Sequence, residues 1–335
     1  MEKQILQMLR QHGDAYVSGQ MMSRELGVSR TMVWKTIEAL RKQGFVIDSS
    51  ANRGYKLVRG PNKLLGFALE VGLNTKAIGK SIVSFDSIPS TIDAAGSLAA
   101  GGAEEGTVVV AESQTGGRGR LGRAWSSPRG AGIWTSIILR PPIPPRDAPK
   151  LTLLAAVAVA AVLQETYHID ARIKWPNDVI VNNRKICGAL TELVAEQDQV
   201  KYAIVSFGLN VNQIPSTFPP DVADLATSMR METGKRLERA EVFTHVMSEL
   251  DRLYLTFRQD NGIDIMNRWR ARSCTLGKQV TVRLRDELVE GIARDLAEDG
   301  SLVVEVAGGR LRHISYGDVT ILRDMKNGES REKER

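Results

Sequence analysis

The first 60 residues carry apolar positions at helical spacing, followed by a segment of β character. Ser18 and Ser29 are placed to cap the second and third helices, and Gly27 is placed to end the second. Residues 45–58 predict two strands around a polar turn at 49–54. The helical stripes are formed by Ile5, Leu6 and Leu9 and by Val33, Ile37 and Leu40. This order of elements predicts a winged helix-turn-helix.

A central region begins after a linker at 60–66 and alternates strands with long helices. The predicted strands are Thr107–Val110, 132–140, 185–194 and 201–212, and the predicted helices are 150–168, 238–259 and 263–272. The last two of these strands are long and consecutive. Because of this, the sheet is predicted to be mixed or antiparallel.

The last part of the chain changes character, with four short apolar strands separated by Gly and Asp turns, predicted at 280–282, 291–293, 301–305 and 313–315. This pattern predicts a small β-barrel at 275–323. The remaining residues, 324–335, are highly charged and are predicted to be disordered. The chain is therefore predicted to have three domains, at 1–60, 65–273 and 275–323, and a tail.

The composition is that of a globular protein in a reducing compartment. The 335 residues contain two cysteines, too few for a disulfide framework. The N-terminus lacks the apolar core of a signal peptide, and the longest apolar run, Leu151–Leu163, is too short to span a bilayer. We therefore expect a cytoplasmic protein without a membrane partner.

The positive charge is concentrated at the N-terminal end. Residues 1–60 contain ten Lys/Arg and five Asp/Glu, a net charge of 10 − 5 = +5, against +6 for the whole chain. This balance favours binding to a phosphate backbone over the alternative, a winged helix that binds protein. The predicted DNA contacts are Ser29, Arg30, Thr31, Trp34 and Lys35 on the third helix, and Arg53 on the wing. Arg41 is expected to share the exposed face of that helix.

A loop rich in glycine and arginine follows the strand at 107–110. Its arginines, Arg118, Arg120 and Arg123, offer planar donors to carboxylate or phosphate, and its glycines allow close backbone approach. The spacing of Gly117, Gly119 and Gly122 fits a dinucleotide fingerprint, but neither the required helix nor the acidic residue follows. A phosphate-binding P-loop is excluded because Arg123 occupies the lysine position. The pattern predicts a loop that closes over an anion, and a flexible surface loop is the alternative.

Two further segments hold candidate polar groups. Ser90 is a candidate N-cap at the start of a helix, where an anion or polar group can also bind. Lys174 is predicted at a strand end, before a turn formed by Pro176, Asn177 and Asp178. The residues alone leave open whether Ser90 only caps a helix and whether Lys174 is an ordinary exposed lysine.

Two motifs carry a resemblance to a known family. Residues 117–125, GRGRLGRAW, together with residues 174–178, KWPND, resemble the motifs of biotin protein ligases. With the winged helix, the chain resembles the bifunctional kind, the bacterial biotin operon repressors, over essentially its whole length. The resemblance implies an α+β fold: a winged helix-turn-helix, a mixed-sheet catalytic domain of the biotin/lipoate ligase type, and a C-terminal SH3-like barrel.

The resemblance also implies a two-step reaction. Biotin and ATP, with Mg²⁺, give biotinyl-5′-AMP and pyrophosphate, and the biotin then passes to a lysine of the biotin carboxyl carrier protein of acetyl-CoA carboxylase. The adenylate would also act as corepressor, favouring a homodimer that binds operator DNA. No protein side chain is identified as a metal ligand.

The implied site residues match the family's motifs position by position. Lys174, Arg118 and Arg120 would be catalytic. The implied biotin contacts are Ser90, Thr91, Ile92, Gln114, Arg118, Gly119, Arg120, Lys174 and Gly188; the implied ATP and adenylate contacts are Arg123, Trp125, Asn177, Lys185 and Asn210. Arg294 lies in the barrel where some relatives bring a residue toward the site.

Two positions depart from the family pattern. Ile92 stands where the family usually has Asn, and Ser206 stands where it usually has Gly, followed by the bulky Phe207. These changes support an alternative function, a ligand-sensing transcription factor with an inactive ligase fold. A third alternative, a lipoate or octanoyl transferase, lacks the GRGRLGRAW arrangement and the winged helix.

Overall fold

The structure, a computed structural model, describes residues 1–322, so the predicted tail lies outside the described residues. Helices α1 (Glu2–Gln11), α2 (Gly19–Leu26) and α3 (Arg30–Lys42) precede a hairpin of β1 (Val46–Ser50) and β2 (Gly54–Arg59). The hydroxyls of Ser18 and Ser29 accept hydrogen bonds from backbone N–H groups of the first turns of α2 and α3, and Gly27 ends α2 in a left-handed conformation. The predicted winged helix-turn-helix is confirmed.

A short helix, α4 (Gly66–Gly72), joins the winged helix to the next region. Its Ala68 is buried in the apolar core of the winged helix, whereas Leu69 is buried in the core of the central region. Beside it, Arg239 is 1% exposed and pairs with Glu112 at 2.8 Å. Both side chains also hold the linker, since Glu112 accepts from the N–H of Leu64 and Arg239 donates to the carbonyl of Asn62.

A seven-stranded mixed sheet forms the centre of the molecule, as predicted. Its strands are β3 (Ile82–Phe85), β4 (Val108–Ala111), β5 (Gly132–Leu139), β6 (Arg172–Lys174), β7 (Asp178–Val181), β8 (Arg184–Glu196) and β9 (Gln199–Asn210). Their order is β3-β4-β5-β9-β8-β7-β6, and only the β3–β4 pair is parallel. The sheet brings β5, β8 and β9 side by side beneath the candidate site.

Five helices accompany this sheet: α5 (Thr91–Ala100), α6 (Pro149–Glu165), α7 (Met229–Thr233), α8 (Arg239–Asp260) and α9 (Ile263–Arg272). Helix α6 is apolar on almost every side because it is enclosed by the sheet, α8 and α9. With the 3₁₀ turn before it, this segment (Pro145–Glu165) is long and apolar enough to cross a membrane, but 83% of its apolar window is buried within the protein.

The C-terminal region has one strand more than the sequence pattern predicts. It contains β10 (Gln279–Arg283), β11 (Leu288–Leu296), β12 (Leu302–Val306), β13 (Arg310–Ile314) and β14 (Asp318–Ile321). These form a five-stranded antiparallel sheet in the order β13-β12-β11-β10-β14. Strand β14 escapes the sequence prediction because it is short and begins with a charged residue. It nevertheless reaches the candidate site.

Candidate active site and nucleic-acid interface

A cavity of about 780 Å³ lies over one face of β8 and β9, bordered by the loop at residues 116–123, here called the Gly/Arg loop, and by the C-terminal sheet. All but one of the predicted catalytic, biotin and adenylate residues line it. Those residues are Thr91, Ile92, Gln114, Arg118, Gly119, Arg120, Arg123, Trp125, Lys174, Asn177, Lys185, Gly188 and Asn210. The exception is Ser90, whose side chain is buried and caps α5 by accepting from the N–H of Ile92.

A row of buried hydroxyl groups crosses the base of the cavity. Ser206 donates to Ser136 at 2.8 Å, and Ser136 donates to Thr91 at 2.9 Å. Thr91 in turn donates through its hydroxyl (3.1 Å) and its backbone N–H (2.8 Å) to Gln114 Oε1. Ser136 is absent from the sequence prediction because nothing in the segment around it marks a site; its role depends on its direct cross-strand partner, Ser206.

The departures at Ile92 and Phe207 are accommodated by the apolar cores beside the cavity. Ile92 is 6% exposed and packs with Ala95, Val109 and other apolar residues between α5 and the sheet. Phe207 is 3% exposed and belongs to the main core on the opposite face of the sheet. Most of the bulk at these two positions is therefore directed into protein.

The indole of Trp125 lies against two glycines that face each other across β8 and β9. Gly188 and Gly208 are direct cross-strand partners, and a Cβ on Gly208 would stand 2.3 Å from Trp125 Nε1. Any larger residue at 208 would displace the ring. The ammonium of Lys185 lies 5.2 Å from the ring centroid, so the ring is flanked by a cation, and Trp125 Nε1 has no hydrogen-bond partner among the described residues.

Arg118 is held by two carboxylates, one on α5 and one on β8. Its two terminal nitrogens lie 2.8 Å and 2.7 Å from the two Asp93 oxygens, and Nη2 is also 3.3 Å from Glu192 Oε1. This bidentate bond lowers the pKa of Asp93 and raises the pKa of Arg118. An anionic ligand would compete with these two carboxylates for the guanidinium.

The other two loop arginines are held by the C-terminal sheet. Arg120 donates to the carbonyl of Gly317 at 3.2 Å and to Asn177 Oδ1 at 3.4 Å, and burial lowers its pKa. Arg123 forms an ion pair with Asp318. The barrel residue anticipated from relatives, Arg294, does not line the cavity and pairs with Glu305 instead. No motif marks residues 317–318 as part of the site, because only tertiary folding brings β14 there.

Lys174 differs from the other cations of the cavity. It ends β6 as predicted, and no acceptor of residues 1–322 forms a hydrogen bond or ion pair with it. Lys185, by contrast, pairs with Asp178 at 2.6 Å. Two amides complete the site, with Asn177 donating to the carbonyl of Ala189 and Asn210 to the carbonyl of Thr227.

The recognition helix α3 presents a mostly unpaired polar surface. Arg30, Thr31 and Lys35 are exposed, Trp34 is 52% exposed, and neither cation has an ionic partner within residues 1–322. Ser29 is exposed but its hydroxyl caps the helix. On the wing, the Arg53 guanidinium stacks 4.3 Å above the Tyr16 ring. Arg41 is partly exposed, and it pairs with Glu38 and donates to the carbonyl of Ile47, bracing the hairpin.

Family models match three consecutive parts of the chain. They are an HTH domain at residues 2–56, the Biotin/lipoate A/B protein ligase family at 84–212, and the Biotin protein ligase C terminal domain at 275–322. They match in the order of the winged helix, the mixed sheet and the C-terminal sheet. Fold and site together define a ligase domain joined to a DNA-binding domain.

Individual relatives agree with this division. The chain is 38% identical to the bifunctional ligase/repressor BirA of Bacillus subtilis over 96% of its own length and 98% of the relative, and 29% identical to that of Escherichia coli over 87% and 88%. A solved biotin protein ligase from Aquifex aeolicus, in complex with biotin and ATP, superposes with a TM-score of 0.62 at 29% identity, over 73% of this chain and all of that one. The chain belongs to the biotin protein ligases, in their bifunctional ligase/repressor form.

Proposed function

We propose that the cavity binds biotin and ATP, forms biotinyl-5′-AMP and delivers biotin to a lysine of the biotin carboxyl carrier protein of acetyl-CoA carboxylase. The observation that carries this proposal is the convergence of the predicted biotin and adenylate residues on one cavity. The proposal keeps the domain division 1–60, 65–273 and 275–323, with the reaction confined to the second domain and to the contacts it receives from the third.

The first step joins two anions. An oxygen of the biotin carboxylate attacks the α-phosphorus of ATP, and the bond from that phosphorus to the β-bridging oxygen breaks, releasing pyrophosphate. Lys174 is suited to stabilise the charge at the reacting oxygens because its ammonium has no competing partner within residues 1–322. Arg118 and Arg120 would assist once the ligand takes over their present acceptors.

In the second step the deprotonated amine of the carrier lysine attacks the acyl carbon, and AMP leaves as the carbon–oxygen bond breaks. The mixed anhydride must be shielded from water until then. The Gly/Arg loop is suited to this task because its arginines bind it to α5, β8 and the C-terminal sheet. Trp125 and Lys185 would border the adenine and phosphates.

Mg²⁺ would enter with the triphosphate. Within residues 1–322 no group of three or more His, Cys, Asp or Glu side chains could hold a metal ion. The carboxylates lining the cavity, Asp178 and Asp318, are each paired with a cation. This donor set fits an ion held mainly by phosphate oxygens and water, which would neutralise charge on the triphosphate.

The winged helix would bind operator DNA when the adenylate is present. The exposed Arg30, Lys35 and Trp34 support a contact with the major groove. Biotinyl-5′-AMP would act as corepressor by ordering the Gly/Arg loop and favouring a homodimer that spans two half-sites. A cytoplasmic location fits this assignment.

A transfer assay tests the enzymatic proposal. Labelled biotin, Mg-ATP and a purified carrier domain are incubated with the protein, and covalent label on the carrier is measured. We expect transfer that requires ATP. A protein that binds biotin but transfers none would instead be a ligand-sensing repressor with an inactive ligase fold.

A further inference from the structure

The row of hydroxyls beneath the cavity has a fixed direction. The backbone N–H of Thr91 can only donate, so the Gln114 atom 2.8 Å away must be the carbonyl oxygen Oε1. The opposite side of the amide agrees, because Ser127 donates to the carbonyl of Trp125 and can therefore only accept from Gln114 Nε2. The orientation of Gln114 is thus determined by two independent neighbours.

This orientation determines every hydroxyl hydrogen in turn. Oε1 carries no hydrogen, so the Thr91 hydroxyl donates to it at 3.1 Å. Ser136 must then donate to Thr91, and Ser206 must donate to Ser136. Each hydroxyl has a single hydrogen, so Ser206 has none left to offer the cavity that it lines. Toward the cavity, the hydroxyl oxygen of Ser206 can therefore only accept a hydrogen bond, through its lone pairs.

Burial gives this polarity an energetic consequence. Thr91, Ser136 and Ser206 are 2%, 0% and 5% exposed, so a ligand over them excludes most solvent. A ligand N–H that meets Ser206 gains a hydrogen bond, whereas a ligand oxygen at the same place meets lone pairs without a shared hydrogen. Such a site selects against a ligand that leaves buried polar groups without a hydrogen-bond partner.

We propose that Ser206 is a specificity-determining residue whose hydroxyl oxygen accepts a hydrogen bond from one N–H of the ureido ring of biotin. The proposal rests on biotin binding in this cavity, as assigned above. Among the functional groups of biotin, the ureido nitrogens are the hydrogen-bond donors at neutral pH. The family's usual glycine at this position has no side-chain oxygen, so the contact is a property of this chain.

The test is a cycle between protein and ligand variants. Two cyclic carbamate analogues of biotin are used, each with a different ureido N–H replaced by oxygen, a change of donor to acceptor at nearly constant shape. Affinities are measured by titration calorimetry without ATP, so that neither adenylation nor transfer affects the result. The protein variants are Ser206→Ala and Ser206→Gly.

We expect Ser206→Ala to weaken biotin binding about tenfold, the effect of one lost hydrogen bond. One carbamate should bind wild type much more weakly than biotin, and this preference should fall about tenfold or more in Ser206→Ala. The preference against the other carbamate should stay unchanged. Ser206→Gly should behave like Ser206→Ala, and both should fold because removal of Ser206 leaves no buried donor unsatisfied.

Thr191→Val is the matched control. Thr191 also belongs to a hydroxyl pair, with Thr152 at 2.8 Å, but it does not line the cavity, so this variant should retain wild-type affinities for all three ligands. If wild type and Ser206→Ala show the same preference for biotin over each carbamate, the proposal is overturned. The ligase assignment is left intact by that result. Wild-type protein that binds no biotin would overturn both.

Discussion

The molecule has two groups of cations that differ in whether the protein itself supplies their ionic partners. Around the cavity, Arg118, Arg123 and Lys185 already hold carboxylates. On the recognition helix, Arg30 and Lys35 extend into solvent without an ionic partner within residues 1–322. The first group is fixed in position before a ligand arrives, whereas the second remains free to move.

This difference matches two kinds of ligand. A reacting phosphate requires donors at defined positions, and ion pairs within the protein limit where each guanidinium can go. A DNA backbone presents repeated charges, for which mobile cations and released counterions are sufficient. Lys174 differs from both groups, since it lies in the cavity yet has no ionic partner in the described part of the chain.

The largest effect is expected at Lys174. Lys174→Ala should slow adenylate formation by about 10²–10³-fold, because the positive charge that would stabilise the reacting oxygens is lost. Pyrophosphate release measures this rate. Arg172→Ala is the control, since Arg172 lies on the same strand and pairs with Asp170 outside the cavity. A fall of similar size in both variants would contradict a specific role for Lys174.

The next effect is expected at Arg118. Arg118→Ala should make biotinyl-5′-AMP leave about ten to a hundred times faster, because a charge-assisted bond is lost and Asp93 and Glu192 lose their cation. Adenylate release is followed by filter retention of labelled intermediate. Arg129→Ala removes an arginine that pairs with Asp86 outside the cavity and should leave retention unchanged. Retention equal to wild type in Arg118→Ala would contradict the role of the loop.

A smaller effect is expected on the recognition helix. Lys35→Ala should weaken binding to a duplex by about three- to tenfold, and the slope of log affinity against log salt should fall by about one. Fluorescence anisotropy with a random-sequence duplex over a salt series measures both. Lys201→Ala removes the same charge from β9, where Lys201 pairs with Glu196, and should change neither. An unchanged salt slope in Lys35→Ala would place the DNA contact elsewhere.

The smallest effect is expected at Asp93, whose carboxyl is 58% exposed. Asp93→Asn should destabilise the protein by less than about 1 kcal/mol at pH 7. The folded pKa of Asp93 is lowered by Arg118, so its contribution is present above the unfolded pKa of about 4 and disappears as the pH falls through the folded value. Denaturant unfolding of both proteins from pH 7 to pH 3 should show the difference shrinking. A difference that grows toward acid would contradict this.

Much of the fold could be predicted from local patterns. Ser18 and Ser29 cap the helices they were expected to cap, and helix 263–272 has its predicted bounds. These features depend on neighbours within a few residues, which sequence periodicity reports directly. Strand β14 was missed because its four residues carry too little periodicity to be recognised.

The candidate site was only partly predictable, because sequence patterns report local contacts and not contacts between distant segments. The residues matching the motifs do line one cavity, but the partners of its arginines come from α5, β8 and β14, which are distant in sequence. Arg41 is a further example, because its helical spacing does not reveal that the nearby hairpin offers it the carbonyl of Ile47.

The sequence by itself determined the order of the three domains, the concentration of charge at the N-terminal end and the two motifs that define the family. It did so because caps, periodicity and motif spacing are local properties of the chain. Only the tertiary structure decided which cations are paired and which way the hydroxyls beneath the cavity donate. Hydrogen-bond direction at Ser206 depends on Ser136, Thr91 and Gln114 at once, and folding alone brings these four residues into one row.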